Sequence, residues 1–381
     1  MIRPLLLVPA IFALLLTPLV AAGESPEISA TETVIDRLNL TPAPYPISRH
    51  PRWQPSRIVV SLPPRLGKDM PGYALELQEA AGDTTLVLDT SGAFVPSAET
   101  LAGADAYIGF CTTGMLANAD ESLLWVHSYT VGMDRCSNAD EALLGDRVFT
   151  NNKRLSGPTI AEHSIAMLLS ISRGLPAYTA AQARREWRPE LAAKLEFGEL
   201  AGKTMLIAGL GGIGTEIARR AHGLGMRVIA TRHSSREGPD FVSYVGLSDE
   251  LEALAAKADV VVNSLPLTQE TRGLFDRAFF ALVKPGAIFI TVGRGQSTVT
   301  ADLVAALASG HLYGAGLDVT DPEPLPADSP LWLLPNVIIT PHVAAAGGAS
   351  LQRTALIATE NLRRYVSGEA LLNLVDMEEG Y

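Results

Sequence analysis

The sequence predicts an α/β protein built from two parallel-sheet units. Short apolar runs of strand length alternate with helix-spaced segments from Arg57 onward, the pattern of parallel strands covered on both faces. A glycine-rich turn, "GLGGIG", stands between one such strand and a helix. A long helical segment, "SGPTIAEHSIAMLLSISRG", separates an earlier α/β unit from a later one.

The 381 residues suffice for two domains of ordinary size. Hydrophobic residues make up 47% and charged residues 19%, which allows sizeable cores and argues against global disorder. The net charge is 30 − 41 = −11, so nucleic acid is not an expected partner.

The chain opens with "MIRPLLLVPAIFALLLTPLVAAGES". Arg3, the apolar run Leu5 to Val20, and Val20 and Ala22 at the −3 and −1 positions have the layout of a secretory signal peptide cut after Ala22. The competing reading is an uncleaved anchor, but Pro9 and Pro18 break the run and no stop-transfer charges follow. Export is therefore expected (periplasmic or secreted), with no stable membrane span after cleavage. Residues 24–55, containing "TPAPYPISRHPRWQP", read as a linker or surface strap.

Strands are then predicted at "RIVVSLP", "TTLVLDT", "ADAYIGFC" and "SLLWVHSY", with a helix at "GYALELQEAAGD". In the long helix, Thr159 and Glu162 have capping-box spacing, and Gly174 and Pro176 interrupt the run. His163 reads as a packed or half-exposed helix histidine rather than a catalytic one. Cys111 and Cys136 suit no metal site, so no metal is expected. Export would permit their pairing, which stays open at this point.

The second series begins with "TMLIAGLGGIG". Gly209 permits a tight turn, Gly211 lets backbone approach a pyrophosphate, and Gly214 lets helix pack on strand. The helix start then offers free N–H groups and a positive dipole end to an anion. Further strands follow at "RVIAT", "ADVVVNSLP", "GAIFITV", "LYGAGLDV" and "NVIIT", the last read as a short buried strand from Val337 to Thr340. Ligands of open parallel sheets bind beyond the carboxyl ends of the strands. Gly293 and Arg294, Asp318 with Glu323 nearby, and His342 after "TP" all stand just past such ends. That convergence marks His342 as a candidate acid–base.

These residues resemble the D-isomer-specific 2-hydroxyacid dehydrogenases, the group with the hydroxypyruvate and glyoxylate reductases. The likeness spans roughly Arg57 to Asp376 and rests on "GLGGIG", "LPLTQETRGL", "TVGRGQSTV", "GAGLDVTDPEPLP" and "NVIITPH". It implies two doubly wound, Rossmann- or flavodoxin-like domains with a cleft between them. Residues 56–153 would form the substrate domain, completed by 346–381 through the helix "LQRTALIATENLRRYV", and 154–345 the dinucleotide-binding domain. The matches imply catalytic roles for Arg294, Glu323 and His342, and a nicotinamide contact for Asp318. Cofactor contacts would come from Gly209, Gly211, Gly212, Ile213, Gly214, Leu265, Pro266, Thr271, Val292 and Gly293. The loop "SYTVGMDRC" resembles the one whose amides hold a substrate carboxylate, which places Val131 and Gly132 there beside Arg294. The helix from Thr159 and "LPAYTAAQARREW" resemble the family's dimer arm, so a homodimer is expected.

Two departures stand out. Most relatives carry no export signal. And where NAD-binding members hold an acid for the ribose 2′-OH, this chain has Arg232, followed by His233, Ser234 and Arg236. An arginine pairs with a 2′-phosphate instead, so NADP(H) is the expected cofactor, with NAD(H) as the alternative.

The implied reaction moves a hydride between NAD(P)H and a small 2-oxo acid. Arg294 would bind carboxylate and carbonyl, and His342 would donate the proton. Glu323, bonded to the other ring nitrogen, would favour the imidazolium. The similar formate dehydrogenases commonly carry glutamine there, so Glu323 favours the keto-acid reaction. The reading from a different class is an exported dinucleotide-binding or corepressor-like protein with little turnover.

Overall fold

A computed structural model of the chain describes residues 29–137 and 139–377. The expected signal peptide lies outside the described residues.

The first sheet holds five parallel strands: β1 (Arg57–Ser61), β2 (Thr85–Asp89), β3 (Ala106–Gly109), β4 (Trp125–Ser128) and β5 (Val148–Asn151), in the order β2-β1-β3-β4-β5. Ile58, Val59 and Val60 are fully buried, because helical side chains such as Leu77 and Leu362 pack on one face and Leu101, Met115 and Leu116 on the other. Burial of each such aliphatic side chain is worth about 1.5–3 kcal/mol. The second sheet holds seven: β6 (Thr204–Ala208), β7 (Arg227–Arg232), β8 (Tyr244–Leu247), β9 (Val260–Asn263), β10 (Ala287–Thr291), β11 (Leu312–Leu317) and β12 (Val337–Ile339), in the order β12-β11-β10-β9-β6-β7-β8. The chain is thus α/β with two parallel sheets, as the alternating pattern predicts.

Four local readings change. β5 and β8 are strands that the pattern did not mark; polar Thr150 and Asn151 shorten the apolar run of one, and Gly246 interrupts the other. β12 is half-buried throughout rather than buried, because it is the edge strand of its sheet. The Thr159–Glu162 capping box does not form. The helix already starts at Gly157, so Thr159 is inside its first turn and Glu162 pairs instead with Arg220. The strap carries a helix of its own, α1 (Ala30–Leu38), begun by a true capping box between Ser29 and Glu32.

Five further helices position the site: α2 (Tyr73–Ala81), α3 (Gly157–Ser172), α4 (Leu175–Ala183), α5 (Gly212–Gly223) and α6 (Ser350–Ser367). α3 ends at Ser172, and Gly174, with φ 62°, turns the chain into α4 with Pro176 in its first turn. α6 returns to the first sheet, where Ala355, Ala358, Leu362 and Tyr365 join the core of Ile58, Val60 and Leu77. The strap is tied to this return. Ala43 N donates to Leu371 O at 2.7 Å, and Trp53 Nε1 to Tyr365 O at 2.9 Å. Cys111 and Cys136 are disulfide-bonded, with Cα atoms 5.4 Å apart, which resolves the pairing left open by the sequence. Among the described residues, no helix is long and apolar enough to cross a membrane.

Candidate active site

The carboxyl ends of β12, β11, β10, β9 and β6 lie side by side. Register pairs Ile339 with Leu317, Leu317 with Thr291, Thr291 with Asn263 and Asn263 with Ala208. The residues just past these five strand ends therefore share one rim.

After β6, Gly209 has φ 94°, a conformation that suits glycine, and its carbonyl stands where a Cβ on Gly214 would be. Strand and helix can meet this closely only without that side chain. Gly211 caps α5 and has open space around it. The first N–H groups of α5, at Gly212, Ile213 and Gly214, lack intrahelical acceptors by the geometry of a helix start. This cradle fits a dinucleotide pyrophosphate. β7 ends at half-buried Arg232, whose Nε donates to Leu210 O at 3.0 Å and Nη1 to Glu237 O at 2.9 Å. His233 and Ser234 follow on the exposed surface.

After β9, the Leu265–Pro266 turn is pinned by Thr271, whose hydroxyl donates to Pro266 O at 2.7 Å. Val292 is buried at the end of β10, and a Cβ on Gly293 would come within 2.7 Å of Leu265 O. The two loops therefore touch across the rim. Arg294 comes next. Its Nη1 donates to Gly293 O at 3.0 Å, while Nε and Nη2 donate to Asp134 Oδ1 at 3.1 and 3.0 Å.

Asp134 belongs to the other sheet's loop, just after Val131 and Gly132, and the Arg294 guanidinium fills the space beside Gly132. Hydrogen bonds fix the carbonyls of this loop. Val131 O accepts from Asn151 Nδ2 at 2.6 Å and Gly132 O from Thr130 Oγ1 at 2.8 Å. Among the described residues, nothing accepts from the amides of Val131 and Gly132. The structure thus brings the predicted substrate loop and the predicted arginine together.

Asp318, after β11, is buried. Its carboxylate accepts from Thr340 Oγ1 at 2.7 Å, Val343 N at 2.9 Å and Ala344 N at 3.0 Å, and its carbonyl accepts from His342 N at 2.8 Å. It is the anchor of the histidine loop. His163 reaches the same network, with Nε2 2.9 Å from Thr340 Oγ1, so this half-buried helix histidine braces the loop. Held this way, His342 adopts φ 54°, a conformation rare for a non-glycine residue and one that its surroundings must impose. Its Nδ1 lies 2.9 Å from Glu323 Oε2, and the other Glu323 oxygen accepts from Thr320 N at 3.0 Å. Among the described residues, the ring's Nε2 makes no hydrogen bond.

Sequence reasoning missed Asp134 as the partner of Arg294, and Thr340 and His163 as braces. The first is separated from Arg294 by 160 residues, and no local pattern encodes that contact.

Comparison with known proteins agrees with this geometry. The sequence model for "D-isomer specific 2-hydroxyacid dehydrogenase, NAD binding domain" matches residues 165–344. The chain is 34% identical over 287 residues to glyoxylate/hydroxypyruvate reductase B of Citrobacter koseri, covering 73% of this chain and 86% of that one. It is 33% identical over 279 residues to a glyoxylate reductase of Korarchaeum cryptofilum, covering 72% and 83%. Among solved structures, an NADPH-dependent glyoxylate/hydroxypyruvate reductase from Sinorhizobium meliloti, in complex with NADP and sulfate, superposes with a TM-score of 0.71 at 28% identity. That match covers 86% of this chain and all of the other. With both parallel sheets, the glycine cradle and these relatives in agreement, the chain belongs to the D-isomer specific 2-hydroxyacid dehydrogenase family and is an NAD(P)-dependent oxidoreductase.

Proposed function

We propose that the protein reduces a small 2-oxo acid, glyoxylate or hydroxypyruvate, to the D-2-hydroxy acid, with NADPH preferred over NADH. The observation that carries this is the Glu323–His342 hydrogen bond, held on the same rim as Arg294, whose guanidinium meets the loop of Val131 and Gly132. The amides and the forward edge of Arg294 bind the substrate carboxylate, and Arg294 polarises the carbonyl. NADPH, when bound, supplies the hydride to the carbonyl carbon. The carbonyl π pair moves onto oxygen, and His342 delivers its Nε2 proton there. Glu323, accepting from Nδ1, fixes the ring so that Nε2 is the nitrogen free to carry the transferred proton. In the reverse direction, neutral His342 removes the hydroxyl proton.

The NADPH preference is supported by Arg232 at the end of β7, where an acid would serve NADH. The substrate choice draws on the relatives named above, one a glyoxylate/hydroxypyruvate reductase and one a glyoxylate reductase.

Two further parts of this reading concern setting. Export is supported by the N-terminal sequence and by the Cys111–Cys136 bridge, since disulfides persist in oxidising compartments. A homodimer is supported by Leu169, Leu175 and Trp187, apolar side chains exposed along α3, α4 and the segment after them.

The test is a turnover assay on the purified chain with NADPH or NADH against glyoxylate, hydroxypyruvate and pyruvate. Consumption of NADPH with the first two is expected. No oxidation of either cofactor with any of the three would sink the proposal. Light scattering that gives a monomer mass at micromolar concentration would remove the dimer, and N-terminal sequencing that finds Met1 on protein from the native host would rule out cleavage.

A further inference from the structure

A cavity of about 370 Å³ opens beside the first turns of α5. Four arginines line it: Arg37 from the strap helix α1, Arg154 from the segment between β5 and α3, Arg219 from α5, and Arg232 from the end of β7. The carboxylates on its wall are Glu216 and Glu237. Glu216 already pairs with Arg220 at 2.6 Å and lies 3.7 Å from Arg219, while Glu237 is exposed. The charge on the wall is therefore positive.

Arg154 is the telling member. It adopts φ 74°, which an arginine takes only under constraint. Its Cγ lies 2.7 Å from where a Cβ on Gly212 would stand, so the arginine stem covers the start of α5 in place of a side chain there. Burial, and then the nearness of Arg232, pushes its pKa below the ordinary arginine value. Among the described residues its guanidinium reaches no carboxylate; Nη1 donates to Leu38 O, a carbonyl of α1, at 3.4 Å. Arg232 likewise donates only to carbonyls, those of Leu210 and Glu237. Two guanidinium groups held this close, bonded to carbonyls rather than carboxylates, are a site prepared for a multiply charged anion.

We propose that this cavity receives the 2′-phosphate of NADPH, and that Arg37 and Arg154, which lie outside the seven-stranded sheet, are specificity-determining residues for it. The inference rests on the NADP(H) reading above and adds to it. The N-terminal strap becomes part of the cofactor site, so the 2′-phosphate ties α1 to the start of α5. A guanidinium fork offers paired donors to phosphate oxygens, and the cavity presents several from different directions. The cavity reaches Gly238 and Pro239 beyond β7, on the side where a Rossmann-type domain holds the adenosine ribose. That position favours the 2′-phosphate over the pyrophosphate.

Fluorescence titration of the full chain with NADPH, NADH and 2′,5′-ADP tests this, using Arg37→Gln, Arg154→Gly and Arg232→Ala. Glycine suits φ 74°, so Arg154→Gly removes the charge without straining the backbone, and Arg37 is exposed on its helix. Arg37→Gln and Arg154→Gly should each weaken NADPH and 2′,5′-ADP about tenfold or more, and leave NADH within about twofold. NADPH, and not NADH, should also slow amide exchange in α1. Wild type that binds NADH as tightly as NADPH would end both the cofactor reading and this inference. If wild type prefers NADPH and Arg232→Ala abolishes that preference, while Arg37→Gln and Arg154→Gly retain it, the cofactor reading stands and this inference is overturned.

Discussion

Asp134 holds one edge of Arg294. A single carboxylate oxygen accepts from both Nε and Nη2, at 3.1 and 3.0 Å, across 160 residues of sequence. Nη1 donates to Gly293 O at 3.0 Å, and the guanidinium keeps further N–H groups on Nη1 and Nη2 beyond these bonds. Asp134 is thus a positioning residue, reaching from the loop of one sheet to the strand end of the other. Asp134→Asn keeps the shape and removes the charge. A hydrogen bond to a charged group is worth about 1.5–3 kcal/mol, so kcat/KM for the 2-oxo acid should fall roughly 10- to 100-fold. The loss should appear mainly in KM for the acid, with the NADPH dissociation constant unchanged. Initial rates over a substrate series, beside a cofactor titration, check this; an unaltered KM would leave Asp134 a structural role only.

His342→Ala should remove general acid catalysis, typically worth about 10²–10⁴-fold in kcat. Glu323→Gln should cost less, because an amide oxygen still accepts from Nδ1 and keeps the ring in place. Neither side chain is part of a buried core, so circular dichroism and cofactor affinity should match wild type. A His342→Ala enzyme with wild-type kcat on glyoxylate would assign the proton to another group.

The legible part of this protein was set by strand ends. Arg294, Asp318 and His342 follow β10, β11 and β12, and parallel sheets gather such residues on one rim whatever their sequence separation. The glycine cradle was legible because three spaced glycines, a strand and a helix must coincide. Asp134, Arg37 and Arg154 were not, since each acts across the boundary between sheet systems, where periodicity says nothing. The nicotinamide role implied for Asp318 gains a structural one beside it, because Val343, Ala344 and Thr340 all bind its carboxylate. The false capping box at Thr159 shows the opposite failure: a four-residue pattern recurs by chance, and Gly157 and Pro158 had already begun the helix.

The Cys111–Cys136 bridge staples the loop that bears Val131, Gly132 and Asp134 to the end of β3. Closing a loop over a separation of 25 residues restricts the unfolded chain by roughly 3 kcal/mol. Cys111→Ser with Cys136→Ser should lower the unfolding free energy by that order. It should also raise KM for the 2-oxo acid, since Asp134 then loses its anchor. Denaturant titration and initial rates would show both; reduction that changes neither would make the bridge incidental to the site.

His127 predicts an acid-sensitive core. It is fully buried in β4, with Nδ1 2.9 Å from Thr150 Oγ1, and among the described residues Nε2 has no partner. Burial lowers its pKa from the ordinary 6.5 to about 4. Between those values the unfolded chain binds a proton that the folded chain refuses, so stability rises with pH across the window and falls as pH drops through it. The slope is about 1.4 kcal/mol per pH unit, or roughly 3 kcal/mol in all. Other groups titrate in this range too, so the measurement is a difference. Unfolding free energies of wild type and His127→Gln should be compared at pH 7 and at pH 4. The variant cannot take up this proton, so wild type should lose about 3 kcal/mol more than the variant does on acidification. A difference between the two proteins that stays constant with pH would show that His127 is not held neutral by its burial.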